Sequence, residues 1–159
     1  MNCCHYYQFI PGNEQVFSAD VTRVRYGCGV LKELGQEAGA LGIKRAAVYT
    51  DSRIRSSPLF EEAVAALRAE GIEAVIYDEV RVEPTDTSFK EAAQFAKSSA
   101  FDGFISIGGG SVIDTVKAAN LYSSCEGDFM DYVNAPIGRG LVVPGPLRPH
   151  LACPTTAGT

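Results

Sequence analysis

Residues 105–122 read ISIGGGSVIDTVKAANLY, Ile105 to Tyr122, and this stretch decides the fold. A buried apolar strand runs into Gly108-Gly109-Gly110-Ser111 and then directly into a helix, expected from Ser111 to about Tyr122. Glycines have no Cβ, so the backbone there can come close to a phosphate. The first N–H groups of the helix would point at that phosphate with the positive end of the dipole. Ser111 can cap the helix and also offer its hydroxyl to a phosphate oxygen. The spacing is not G-x-G-x-x-G, so the usual dinucleotide fingerprint is absent. The competing reading is a tight strand-to-helix turn that binds nothing.

The flanking sequence repeats the same strand-and-helix rhythm. Phe17 to Tyr26 (FSADVTRVRY) predicts an extended edge segment, and Val30 to Ala40 places Val30, Leu31, Leu34 and Ala38 at helical spacing. Lys44 to Thr50 (KRAAVYT) is a short apolar strand closed by Asp51-Ser52. Pro58 opens a helix, where its missing N–H costs little, and Gly71 ends it. Glu73 to Tyr77 is the next strand, Thr85-Asp86-Thr87 starts the next helix, and Phe101 to Ile107 (FDGFISI) is the strand before the glycines. After Gly127 the chain is rich in glycine and proline, until a short strand, Leu151 to Cys153, leads into PTTAGT. Apolar strands alternating with amphipathic helices describe one α/β domain: a Rossmann-like parallel sheet, helices on both faces, right-handed crossovers. Ligands of such sheets bind at the carboxyl ends of the strands, so the residues just after each strand are the candidates.

Composition narrows the functions. The 159 residues suffice for one domain with a substantial core, and 46% apolar with 21% charged residues is ordinary for a globular protein. No run approaches the roughly 18–20 apolar residues of a membrane span. The net charge of -5 argues against a nucleic-acid partner but leaves small anionic ligands open, because backbone N–H groups can hold them. The five cysteines (Cys3, Cys4, Cys28, Cys125, Cys153) contain no C-x-x-C pair, and His5 and His150 stand at opposite ends of the chain. Adjacent Cys3-Cys4 without further ligands nearby reads as reduced thiols rather than a metal site. With neither a secretory signal nor an arginine-rich mitochondrial leader, the expected location is cytoplasmic.

Three further positions follow strands. Asp51 can accept hydrogen bonds from the hydroxyls of an adenosine ribose, and its charge would repel a 2′-phosphate; it equally suits a turn or helix cap. Asp114, in the first turn of the helix after the glycines, reads either as a macrodipole partner ion-paired with Lys117 or as a group orienting a cofactor. Thr155 and Thr156 offer hydroxyls beside Gly158, or form a polar loop. The sequence stops within that loop, as if a further element were missing.

Asp51 after its strand, GGGSVID from Gly108 to Asp114, KAAN from Lys117 and the final PTTAGT together resemble the N-terminal part of the iron-containing alcohol dehydrogenase family. The resemblance runs from Phe17 to the end. VRVEPTDTSF (Val80 to Phe89), FDGF, KAANLY and DYVNAPIG (Asp131 to Gly138) look closest to its hydroxyacid-oxoacid transhydrogenase branch. The resemblance implies an N-terminal extension over residues 1–16 and an NAD(P)-binding domain over residues 17–159, cut before an all-helical domain. In the family that second domain holds a divalent metal, iron or zinc, through an aspartate and three histidines. The metal polarises a substrate oxygen while hydride moves to or from the nicotinamide. Carried onto this chain, Asp51 contacts the adenosine ribose and favours NAD over NADP. Gly109, Gly110 and Ser111 cradle the diphosphate, and Asp114 lies beside the cofactor. Thr155 and Thr156, with Thr159 a further candidate, contact phosphates or the nicotinamide ribose.

Two departures matter. The family commonly has Asn-Pro-Thr where this chain has Glu83-Pro84-Thr85, which places a carboxylate near the cofactor and fits the transhydrogenase branch. There, a hydroxyacid such as 4-hydroxybutyrate is oxidised and a 2-oxoacid such as 2-oxoglutarate reduced on one retained cofactor. Nothing in the chain supplies the family's metal ligands, so the expectation is a homo-oligomeric enzyme at full length and an inactive fragment alone. The alternatives are a glycerol dehydrogenase-like or dehydroquinate synthase-like enzyme, against which KAANLY and VEPT argue, and a stand-alone nucleotide-binding module without chemistry.

Overall fold

The structure is a computed structural model and describes residues 22–156. A 3-10 turn, Val30–Glu33, leads into α1 (Leu34–Ala40). It is followed by β1 (Arg45–Tyr49), a single turn α2 (Ser52–Arg55), α3 (Pro58–Ala69) and β2 (Glu73–Tyr77). Then come α4 (Asp86–Lys97), β3 (Gly103–Gly108), α5 (Gly110–Ser124), a 3-10 turn Phe129–Asp131 and β4 (His150–Pro154). The four strands form one parallel sheet in the order β2-β1-β3-β4.

Each strand is explained by what its two faces touch. β3 is buried at every residue, as a central parallel strand covered on both sides must be. Ile105 and Ile107 face one core with Ala46 and Val48, against Leu34 and Ala38 of α1 and Phe60, Ala63, Val64 and Leu67 of α3. Phe104 faces the other core with Ala47 and Tyr49, against Ala92 and Ala96 of α4 and Val112, Val116 and Ala119 of α5. Tyr49, fully buried, donates its hydroxyl to Ala92 O at 2.9 Å, so its one polar side-chain atom is satisfied within this aromatic core. Helices on both faces of a parallel sheet are the architecture expected from the sequence.

Caps define the helix starts. Ser57 caps α3 with Pro58 in its first turn, and Thr85 and Ser88 form a capping box at the start of α4. The structure amends other boundaries. Thr22 to Tyr26 carries no strand, and Phe17 to Val21, the rest of the expected edge segment, lies outside the described residues. The helix after the glycines begins at Gly110 rather than Ser111 and continues to Ser124. Its N-cap is Gly109, and no side chain caps it, so Ser111 is not the cap.

Candidate functional site

In the order β2-β1-β3-β4 the chain leaves β1 in one direction and β3 in the other. The crevice between their carboxyl ends is the topological switch point, where open α/β sheets take their ligands. Asp51 follows β1 and Gly109-Gly110-Ser111 follow β3, so two of the expected groups flank that crevice. Thr50 ties the end of β1 to both neighbours: its N–H donates to Tyr77 O of β2 at 2.9 Å and its hydroxyl to Ile107 O of β3 at 2.8 Å.

Gly108 allows close packing. A Cβ there would stand 2.5 Å from Cγ2 of Val112, so only glycine lets α5 turn back this tightly onto β3. Gly110 differs, because a Cβ there meets nothing within 4 Å. The N–H groups of Val112 and Ile113 both return to Gly109 O, at 3.1 and 3.2 Å. Those of Gly110 and Ser111 have no partner among the described residues, and they open a fifteen-residue helix. An uncapped helix start beside an open glycine surface has the geometry by which backbone N–H groups can hold an anion without a lysine.

β4 closes the other side. Thr155 N–H donates to Gly108 O at 3.0 Å, and Cγ2 of Thr156 lies 3.5 Å from the Cβ position of Gly109. Thr155 and Thr156 are therefore exposed directly beside the glycine backbone; Thr159 lies outside the described residues. Asp51 has a structural duty as well: its Oδ1 accepts from Arg53 N at 2.9 Å and Ile54 N at 3.0 Å, capping α2. That bonding fixes the carboxylate at the crevice. Asp114 is exposed and sits 3.7 Å from Lys117, the surface ion pair that its spacing allowed.

Ser111 brings in a loop that sequence reasoning did not place. Its hydroxyl donates to Val82 O, which holds the segment after β2 against the glycine turn. The donor proton of Ser111 is thereby committed, and what it offers a ligand is its N–H and its oxygen lone pairs. Glu83, the next residue after that anchor, is exposed. A hollow of about 610 Å³ is lined by Arg55, Ser57, Glu61 and Asp78 and includes none of the Gly108–Ser111 turn.

Among the described residues no three His, Cys, Asp or Glu side chains gather so as to hold a metal ion. No helix among them is long and apolar enough to cross a membrane. Cys28, Cys125 and Cys153 are free thiols, while Cys3, Cys4 and His5 fall outside the described residues.

A parallel sheet with a glycine turn at its switch point has the arrangement in which open α/β domains take ligands at the strand ends. The profile of the family described as iron-containing alcohol dehydrogenase matches residues 21–159, and the chain belongs to that family. It is 48% identical to the mitochondrial hydroxyacid-oxoacid transhydrogenase of Bos taurus, over 98% of this chain and 35% of that protein. It thus spans about a third of that relative's length. The crystal structure of a 1,3-propanediol oxidoreductase superposes with a TM-score of 0.74 at 31% identity, over 84% of this chain and 34% of the other. A sulfoacetaldehyde reductase from Bifidobacterium kashiwanohense, solved in complex with NAD+, shares the fold at a TM-score of 0.79 and 24% identity, over 92% and 38% of the two chains. The bovine relative is mitochondrial by name, which lends no support to the cytoplasmic location expected from the sequence.

Proposed function

We propose that this chain is the nicotinamide-nucleotide half of a metal-dependent oxidoreductase, most specifically of a hydroxyacid-oxoacid transhydrogenase. The observation that carries the reading is the convergence at the switch point: the N–H groups of Gly110 and Ser111, without partners among the described residues, the open surface of Gly110, Thr155 bonded to Gly108 and Thr156 beside Gly109. The 48% identity to a transhydrogenase supports the branch, and the NAD+-bound reductase of the same fold supports the ligand class.

In this reading the diphosphate lies on Gly109, Gly110 and the N–H of Ser111, with the threonine hydroxyls on its other side. Asp51 receives the adenosine ribose hydroxyls and disfavours a 2′-phosphate, so NAD is preferred to NADP. Asp114 orients the cofactor from the first turn of α5. A bound nicotinamide supplies the hydride acceptor and donor. Residues 17–159 form the binding domain behind a short extension, and the metal ligands, iron or zinc, belong to a helical domain of the whole protein. That protein works as a homo-oligomer on a small alcohol or hydroxyacid and an oxoacid, and this chain alone turns over neither. Its location follows the mitochondrial relative.

Calorimetric titration tests the core of this. NAD+ should bind the chain and NADP+ more weakly, and Gly110→Ala should weaken NAD+ by about tenfold or more, equivalent to about 1.4 kcal/mol. Equal binding by Gly110→Ala and wild type, or no binding of either dinucleotide, defeats the cradle. Metal-dependent turnover by the 159-residue chain would overturn the division of labour. For the branch, Glu83→Asn in the whole enzyme should change cofactor exchange; unchanged exchange and affinity would remove Glu83 from the reading.

A further inference from the structure

Resting on that nucleotide reading, we propose that His150 is a positioning residue for the cradle, setting through its hydrogen bond to Ser106 how high β4 sits on β3. Among the described residues β4 is the edge strand on its side of the sheet, and Pro154 within it has no N–H to give the ladder. Backbone pairing alone does not fix such a strand. A slip of two residues keeps every side chain on its own face. It would also carry Thr155 and Thr156 about 6–7 Å along the strand, away from Gly109.

Side chains must therefore choose the register. Ser106 is fully buried in the middle of β3, and its Oγ shares a hydrogen bond of 2.8 Å with Nε2 of half-buried His150. Ser106 pairs with Ala152 and Phe104 with His150, so the bond runs diagonally across the two strands. Among the described residues it is the only side-chain hydrogen bond made by β4. A slip in one direction would put Ala152 in the place of His150 and orphan the buried hydroxyl. A slip in the other would bring the charged side chain of Arg148 there. Burial and the nearby Lys117 of α5 both keep the imidazole neutral, so it joins Ser106 as an uncharged partner.

The flanking bonds turn this pin into geometry at the site. Below it, Nδ2 of buried Asn120 donates to Arg148 O at 2.8 Å, holding the entry to the strand. Above it, Thr155 N–H donates to Gly108 O, and Thr156 then stands against Gly109. The height of β4 is the width of the cradle.

The test compares wild type, His150→Phe, His150→Gln and Ser106→Ala, each with NAD+ and with AMP, alongside thermal unfolding and backbone amide spectra without ligand. His150→Phe keeps the ring and loses the bond. It should weaken NAD+ by about tenfold and AMP, which ends at its first phosphate, by less than about twofold. His150→Gln, whose amide can bond Ser106, should restore NAD+. Ser106→Ala should repeat the pattern of His150→Phe, and it carries the test if the phenylalanine variant does not fold. Without ligand, the Thr155 and Thr156 amide resonances should move in His150→Phe and return in His150→Gln. Equal loss of NAD+ and AMP binding, or unmoved Thr155 and Thr156 resonances, overturns the proposal. A wild type that binds neither ligand defeats the nucleotide reading instead, and the resonances then decide the register claim alone.

Discussion

Adjacent glycines in the turn do different work, and substitution separates them. Gly108→Ala forces a Cβ to within 2.5 Å of Val112 Cγ2, so it should destabilise the fold by about 1–3 kcal/mol, read as a lower urea midpoint. Gly110→Ala meets no neighbour and should leave the midpoint unchanged or raise it by a few tenths of a kcal/mol, while weakening NAD+. If both variants lost only stability, Gly110 would be a packing residue like Gly108. Asp51 carries two duties that can also be split. Asp51→Ala removes the cap on α2 and should cost about 1 kcal/mol, whereas Asp51→Asn keeps an acceptor for Arg53 N and Ile54 N. Both should raise NADP+ affinity relative to NAD+ by about tenfold, because both remove the charge that repels a 2′-phosphate. A cofactor ratio unchanged in Asp51→Asn would leave Asp51 as a cap alone.

At the scale of elements, legibility followed length and periodicity. The strands at Arg45, Glu73 and Gly103, and the helices from Pro58 and Asp86, each bury a face whose spacing is written locally, and each appeared within two residues of expectation. What could not be read depends on partners far along the chain. α2 is one turn, too short for a period, and exists because Asp51 caps it. The Ser111 hydroxyl reads as a cap from its neighbours alone, but a carbonyl 29 residues earlier captures it. The Ser106–His150 pair spans 44 residues and joins two polar side chains that looked unrelated. The candidate site was legible as a set of strand-end residues; the anchoring of Val82 on it was not. A local device that was legible gives a prediction of its own. Thr85 closes a reciprocal cap with Ser88, so Thr85→Ala should cost about 1 kcal/mol and speed amide exchange in the first turn of α4. Exchange no faster than in wild type would show that packing of α4 on α5, rather than the cap, sets where that helix begins.

At the scale of the whole molecule, two half-buried titratable groups on β4 make stability depend on pH. His150 is pushed down from 6.5 to about 4, first by burial and then by the nearby Lys117. Below pH 6.5 the unfolded chain binds a proton that the folded chain refuses. Stability is therefore full above 6.5 and falls with pH toward 4, by up to about 1.4 kcal/mol per unit. Cys153 acts in the opposite direction. Burial pushes its thiol from 9.0 up to about 11, so the unfolded chain releases a proton first, and stability falls as pH rises from 9 through 11. Urea midpoints should accordingly form a plateau between about pH 6.5 and 9 with a limb on each side, carboxylate protonation adding to the acid limb only below about pH 5. His150→Gln should flatten the limb between pH 6.5 and 5 and leave the alkaline one; Cys153→Ala should reduce the alkaline limb between about pH 9 and 10, above which buried Tyr49 and Tyr77, whose hydroxyls burial also pushes up, still contribute. If the acid limb survived unchanged in His150→Gln, the imidazole would be titrating freely.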